Sequence, residues 1–232
     1  MKFETLRELN AERAARRPAI VVTDTQTGEQ RLVKARDFAA DPLRVELSRQ
    51  LRMGKSGTIE ANDRKLFLNV YAPTARMVIV GAVHISQALA PLARSLDYDV
   101  TVVDPRTAFA SPERFPDVPL IAEWPDVALP PLNIDHYTAF VALTHDPKID
   151  DPALLYAFER DCFYIGALGS RKTHAKRAER LKAQGAKDGD IERIHAPIGL
   201  SIGAVSPSEI AVAIMAEITA QLRLPREKEA AA

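Results

Sequence analysis

The sequence predicts an α/β protein with a doubly wound parallel sheet, preceded by a small N-terminal α+β domain. The run Met77-Val78-Ile79-Val80 is continuously apolar, ends in Gly81 and passes at once into a helix-period pattern, as a buried parallel strand does on entering its crossover helix. A second run, Asp99-Val100-Thr101-Val102-Val103, ends in Asp104. The interval from Gly81 to Asp104 matches a βαβ unit, in which an acidic residue about 20 positions past the glycine can reach a ribose. From Met77 to the last helix strand and helix patterns alternate, which the first seventy residues do not do.

Taken in order, Phe3, Leu6, Leu9 and Ala14 form one side of an amphipathic helix that Pro18 ends. The strands 19–24 and 30–33 flank a turn at Thr25-Gln26-Thr27-Gly28-Glu29. A helix is expected over Asp37 to Met53, with Leu43, Leu47 and Leu51 on one face, and a strand over Lys65 to Tyr71, closed by Pro73. Residues 52–60 read as a solvent-exposed turn. Their Gly54-Lys55-Ser56 lacks the earlier glycine and the preceding buried strand of a phosphate loop.

In the second part, residues 77–224, the first strand leads to a helix with Ile85, Leu89, Leu92 and Leu96 as its stripe and Pro91 inside it. A short edge strand is expected at 118–122, where Pro119 excludes a central position. Proline-rich 123–135 reads as a connection. Strands follow at 138–143, 162–166 and 194–199, with helices at 150–160 and from the Gly169 turn to Gln184, stopped by Gly185. Ser206-Pro207-Ser208-Glu209 is a capping box that opens the last helix, and the tail 225–232 is expected to fray. Together these patterns define a Rossmann-like domain.

Composition narrows the function classes. Lys+Arg and Asp+Glu balance at 31 each and 47% of residues are hydrophobic, so a core is assured and no overall positive field points to nucleic acid or a membrane surface. The single cysteine, Cys162, excludes an internal disulfide, a Cys-x-x-Cys pair and a multi-cysteine zinc site. It begins an apolar strand and reads as a core residue. With no apolar signal core and no apolar run near the ~20 residues that span a bilayer, a cytoplasmic location is expected. No compact metal motif is present, and no catalytic residue stands out.

The expected crevice lies at the carboxyl ends of the first and fourth parallel strands. There Gly81 and His84 face Thr144, His145 and Asp146. Asp104 and Arg106 follow the second strand, and Gly169-Ser170-Arg171-Lys172 opens a helix after the fifth, with backbone N–H groups and two cations suited to a phosphate. The first turn departs from G-x-G-x-x-G, since Val83 and Ser86 replace the second and third glycines, so NAD(P) is a weak candidate. Gly81 serves equally as a bare tight turn, and His84 reads first as a capping or packing residue; His145-Asp146 suits acid/base or ligand-binding work, although Asp-Pro is also an ordinary turn starter. His174 and His195 read as surface or packing residues.

Five segments, Gly81-Ala82-Val83-His84-Ile85-Ser86-Gln87-Ala88-Leu89, Val102-Val103-Asp104-Pro105-Arg106, Thr144-His145-Asp146, Tyr164-Ile165-Gly166-Ala167-Leu168-Gly169-Ser170-Arg171 and His195-Ala196-Pro197-Ile198-Gly199-Leu200, occur in this order. In this combination the chain resembles the XdhC/CoxI family of xanthine dehydrogenase accessory proteins. The resemblance implies a Rossmann domain behind a small N-terminal domain, and a chaperone that binds the molybdenum cofactor (molybdopterin) as cargo. It implies protection of that cofactor during sulfuration and its delivery to a molybdenum hydroxylase apoenzyme. A cofactor-sulfurating enzyme is then a second partner and a homodimer the expected assembly, with carriage rather than catalysis as the task. The alternatives are a nicotinamide-dependent oxidoreductase using Gly81 and Asp104, and a regulatory interaction module that keeps only the fold. The chain departs from the family at Val83, where members often have a second glycine, and in a shortened N-terminal region.

Overall fold

The structure is a computed structural model that describes residues 1–61 and 63–225. The expected fraying tail falls, apart from Pro225, outside the described residues. The chain divides into two compact units, Met1–Pro73 with Arg223–Pro225, and Thr74–Leu222.

The first unit contains α1 (Phe3–Ala14), β1 (Ala19–Asp24), β2 (Gln30–Lys34), α2 (Arg44–Met53), β3 (Gly57–Ala61) and β4 (Arg64–Tyr71). Its strands form an antiparallel sheet in the order β2-β1-β4-β3. Two elements differ from expectation. The single helix over 37–53 is instead a 3-10 segment at Ala35–Ala40 followed by α2, because Pro42 has no N–H to continue the ladder. Residues 57–61 are not an exposed turn but β3, paired so that Ile59 opposes Leu66. Ile59 is buried with Leu47, Leu66 and Leu68, and one apolar residue among polar neighbours gave too little alternation to reveal the strand.

The second unit runs β5 (Arg76–Val80), α3 (His84–Ser95), β6 (Asp99–Val103), β7 (Leu120–Ile121), α4 (Pro125–Ala128), β8 (Thr138–Ala142), α5 (Pro147–Glu159), β9 (Tyr164–Ala167), α6 (Arg171–Ala183), α7 (Asp188–Glu192), β10 (Ile194–His195) and α8 (Pro207–Arg223). Six parallel strands lie in the order β10-β9-β8-β5-β6-β7, the doubly wound, Rossmann-like arrangement.

The continuous apolar run of β5 is explained by its burial on both sides. Met77 and Ile79 pack with Leu89, Ile214 and Ile218 from α3 and α8. Val78 and Val80 pack with Ile149, Leu154 and Leu181 from α5 and α6. The buried stripe of α3 is Ile85, Leu89, Ala90 and Ala93, whereas Leu96, expected on it, is exposed at the cap. Helix α5 starts three residues earlier than expected, because Asp146 caps it by accepting from the Lys148 N–H. The capping box of α8 forms as read: Glu209 Oε2 accepts from Ser206 N, and Glu209 N donates to Ser206 Oγ. The short α7 carries no apolar stripe that would have announced it.

Candidate functional site

Strands β5 and β8 are neighbours, with β5↔β8 register Val80↔Ala142. The helices that follow them leave to opposite faces, α3 into the core layer with α8 and α5 into the layer with α6. Their carboxyl ends therefore frame a crevice, walled by the turns after β5, β6, β8 and β9.

Gly81 sits at φ 118°, and a Cβ there would meet Thr144 Cγ2 at 3.0 Å, Thr144 N at 3.1 Å and the Leu143 carbonyl carbon at 3.2 Å. The glycine is thus required by the close approach of the β5 turn to the end of β8. Ser86, at the expected third glycine, is buried and donates its hydroxyl to Gly81 O. His84 begins α3 and is exposed.

Asp104 is fully engaged within the protein. Its carboxylate is 0% exposed. Oδ2 accepts from Ala82 N (2.7 Å) and Arg106 Nη2 (2.7 Å), while Oδ1 accepts from Arg106 N (2.9 Å) and Arg106 Nε (2.9 Å). Four donors fill the roughly four acceptor sites of a carboxylate, so no acceptor remains for a diol. Burial alone would raise the Asp104 pKa; the Arg106 fork and the Ala82 and Arg106 N–H groups outweigh it and hold the group below the ordinary range. Asp104 therefore fixes the β5 turn and the plane of Arg106.

At the opposite wall His145 is exposed and adopts φ 62°, uncommon for a residue with a side chain. Buried Asp150 holds it there, accepting from Thr144 Oγ1 (2.6 Å), His145 N (3.1 Å) and Thr144 N (3.3 Å). Behind Asp150 lies Arg177, 2% exposed, with Nη2 at 3.8 Å from Asp150 Oδ2 and donating to Leu168 O at 2.8 Å. Its Nε and Nη1 are buried without a hydrogen-bond partner. Burial pushes the Asp150 pKa up and that of Arg177 down, so desolvation exceeds the attraction of a pair at that separation. Arg177 links the β8 turn, through Asp150, to the β9 turn, through Leu168.

The β9 turn carries Gly169 at φ 133° and Ser170 as the cap of α6. Ser170 Oγ accepts from Thr173 N (3.2 Å) and Ser170 O from His174 N (2.8 Å), which leaves the first N–H groups of the 13-residue helix open. Arg171 and Lys172 are exposed beside them.

Residues 77–218 match the sequence model of the family described as the XdhC Rossmann domain. The chain belongs to the XdhC Rossmann domain family. It is 32% identical over 155 residues to protein YqeB of Escherichia coli, covering 66% of this chain and 28% of that protein. It is 32% identical over 154 residues to a probable xanthine dehydrogenase subunit from Bacillus subtilis, covering 66% and 44%. It is 31% identical over 159 residues to the molybdenum cofactor insertion chaperone PaoD of E. coli, covering 68% and 43%. The match thus spans less than half the length of each of these relatives. A crystal structure of a xanthine dehydrogenase from Bacillus halodurans shares the fold, with a TM-score of 0.66 at 24% identity over 97% of this chain and 65% of that one.

In this XdhC Rossmann domain the segment after β10 is held by a side chain that sequence reasoning missed. Glu217 of α8 accepts from Tyr164 OH (2.6 Å) and Gly199 N (2.8 Å) and lies 3.1 Å from His195 Nδ1. His195 stacks on Tyr164 with centroids 4.6 Å apart, so it is a partnered residue rather than a loose surface one. Gly199 is needed because a Cβ would meet the α8 backbone at Ile214 N, 2.9 Å away. Burial alone would raise the Glu217 pKa, but the His195, Tyr164 and Gly199 contacts hold it below the usual glutamate value of 4.5. A depressed folded-state pKa adds stability above the unfolded value that is lost as pH falls through the folded one. Urea denaturation from pH 7 to pH 3 is therefore expected to show stability falling below about pH 4.5, with a shallower acid limb in Glu217→Gln.

His174 keeps its Nδ1 buried without a partner, and burial lowers its pKa. Cys162 is buried and its thiol is pushed up to about 12 by burial, as a core residue rather than a nucleophile would be. Among the described residues no group of three or more His, Cys, Asp or Glu side chains is arranged to hold a metal ion. No described helix is long and apolar enough to cross a membrane.

Proposed function

We propose that this chain binds the molybdenum cofactor as cargo in the crevice between β5 and β8 and hands it to a molybdenum hydroxylase apoenzyme of the xanthine dehydrogenase kind. The observation that carries the reading is the assembly of separate, ligand-suited turns at one switch point, in a chain of the XdhC Rossmann domain family with a cofactor insertion chaperone among its relatives. The open N-terminus of α6 and the exposed Arg171 and Lys172 suit the cofactor's phosphate. Exposed His84 and His145 and the cap Asp146 are the groups that this reading uses for hydrogen bonds to the pterin or the oxo-metal end. Gly81 lets the β5 turn close onto the end of β8, and Asp104 acts through Arg106.

On this reading the task is capture and release, without a chemical step of its own. Residues 1–73 and 77–224 are two domains, and the chain works in the cytoplasm as a homodimer alongside a cofactor-sulfurating enzyme. Saturation of Asp104 leaves a dinucleotide ribose without its usual acceptor, which disfavours NAD(P) as the cargo.

The test is titration of the purified chain with molybdenum cofactor released from a molybdoenzyme, combined with reconstitution of an apo-hydroxylase. Saturable uptake, weakened about tenfold or more in Arg171→Ala/Lys172→Ala by loss of charge-assisted phosphate contacts, is the expected result. No uptake by the wild type, and no gain in hydroxylase activity on adding it, would refute the proposal.

A further inference from the structure

The loop between β6 and β7 holds an aromatic side chain that the proposed cargo contacts do not use. Phe109 is 42% exposed, although a large apolar ring gains by leaving water. The Arg106 guanidinium lies over it, Cζ 4.5 Å from the ring centroid, a cation–π contact. Arg106 is not free to drift: Nε and Nη2 are fixed on Asp104. Its side chain is 30% exposed, and its Nη1 has no protein partner among the described residues.

The loop is fastened where Phe109 stands. Arg114 Nη1 donates to Phe109 O (2.9 Å) and to Ala82 O (2.9 Å), and its Nη2 to Gln87 Oε1 (3.0 Å). Phe109 is thereby tied to the β5 turn that forms the crevice wall. Arg106 belongs to the same crevice wall, because the Asp104 Oδ2 that accepts from its Nη2 also accepts from Ala82 N of the β5 turn.

We propose that Arg106 and Phe109 form a rigid stacking platform at the β6 wall of the crevice, which takes a planar bicyclic nitrogen heterocycle of the pterin or purine type, with Arg106 Nη1 donating to a ring acceptor. A guanidinium held by a carboxylate against an exposed aromatic ring sets a fixed donor at the edge of a stacking face, so a flat heterocycle lying on Phe109 beside Arg106 can accept from Nη1 at its own edge. The platform replaces diol recognition at this strand end: Asp104 is spent in fixing Arg106, and Arg106 faces the ligand in its stead. This inference rests on the crevice being the cargo site, and it identifies which part of the cargo lies at β6.

The experiment follows pterin-6-carboxylate by its own fluorescence against the full chain, with AMP as a second arm and intact molybdenum cofactor as a third. Phe109→Leu is expected to weaken pterin binding about tenfold, the scale of one lost base–aromatic stack. Phe109→Trp is expected to keep it and Arg106→Lys, which retains charge but loses the planar fork, to weaken it. Because Phe109 is exposed, circular dichroism and urea midpoints of Phe109→Leu should match the wild type. A Phe109 dependence with AMP alone supports the platform and assigns it to a purine. A Phe109 dependence with pterin, but no uptake of intact cofactor by the wild type, supports the platform and refutes the cargo reading. Intact cofactor held equally by the wild type and Phe109→Leu overturns the platform and leaves the cargo reading standing. Failure of the wild type to bind either heterocycle overturns the platform as well.

Discussion

Asp150→Ala is expected to destabilise the protein by about 3–5 kcal/mol, the cost of removing one partner of a buried ion pair. Arg177 would keep its charge while 2% exposed, with two guanidinium nitrogens already lacking partners. The same change releases Thr144 Oγ1 and the N–H groups of Thr144 and His145, so φ 62° at His145 loses its restraint. Stability and site geometry are separable here, because burial disfavours both charges. Asp150→Leu combined with Arg177→Met should recover much of the stability, as apolar replacement of a whole buried pair often does. It should not restore the His145 turn, nor cofactor uptake. Urea denaturation of the single and double variants checks the first expectation and titration with cofactor the second. Full uptake by the double variant would show that the Asp150 clamp does not shape the site.

Asp104→Ala is expected to cost about 2–4 kcal/mol, since it orphans the buried Ala82 N–H and removes a charge-assisted fork. Arg106, partly exposed, can then turn to water, which limits the loss compared with Asp150→Ala. Asp104→Asn should cost less, because its side-chain oxygen still accepts while its amide cannot take a guanidinium donor. In both variants Arg106 loses its fixed plane, so cofactor uptake should weaken along with stability. Thermal unfolding and cofactor titration measure the two effects. A stable Asp104→Ala variant would contradict the structural role assigned to this carboxylate.

The fold was legible because backbone demands leave marks at fixed positions. An apolar run stopped by Gly81, a second run stopped by Asp104 and a capping box at Ser206 each report local geometry, and the sheet order follows from their alternation. The places of His145, Gly169 and Arg106 were legible for the same reason, since in this fold the ends of parallel strands collect at one edge. The side-chain clamps behind them were not. Arg177 is seven residues past Ser170 and reaches back toward the start of its helix, and no local pattern ties it to Asp150. Glu217 is an ordinary acidic residue of α8 until Tyr164, His195 and Gly199 converge on it. Asp104 was found by its spacing, but its fork on Arg106 was not, because spacing locates a carboxylate without counting its donors. Phe109 carried no signal at all; its meaning comes from the guanidinium laid over it.

The proposed role puts the molybdenum cofactor in the crevice between β5 and β8. Its most direct test is mass and metal analysis of the ligand that co-purifies with the chain from cells making the cofactor. Molybdenum and a pterin phosphate at matching stoichiometry are expected, both lost in Arg171→Ala/Lys172→Ala. A co-purified dinucleotide with neither molybdenum nor pterin would contradict the claim.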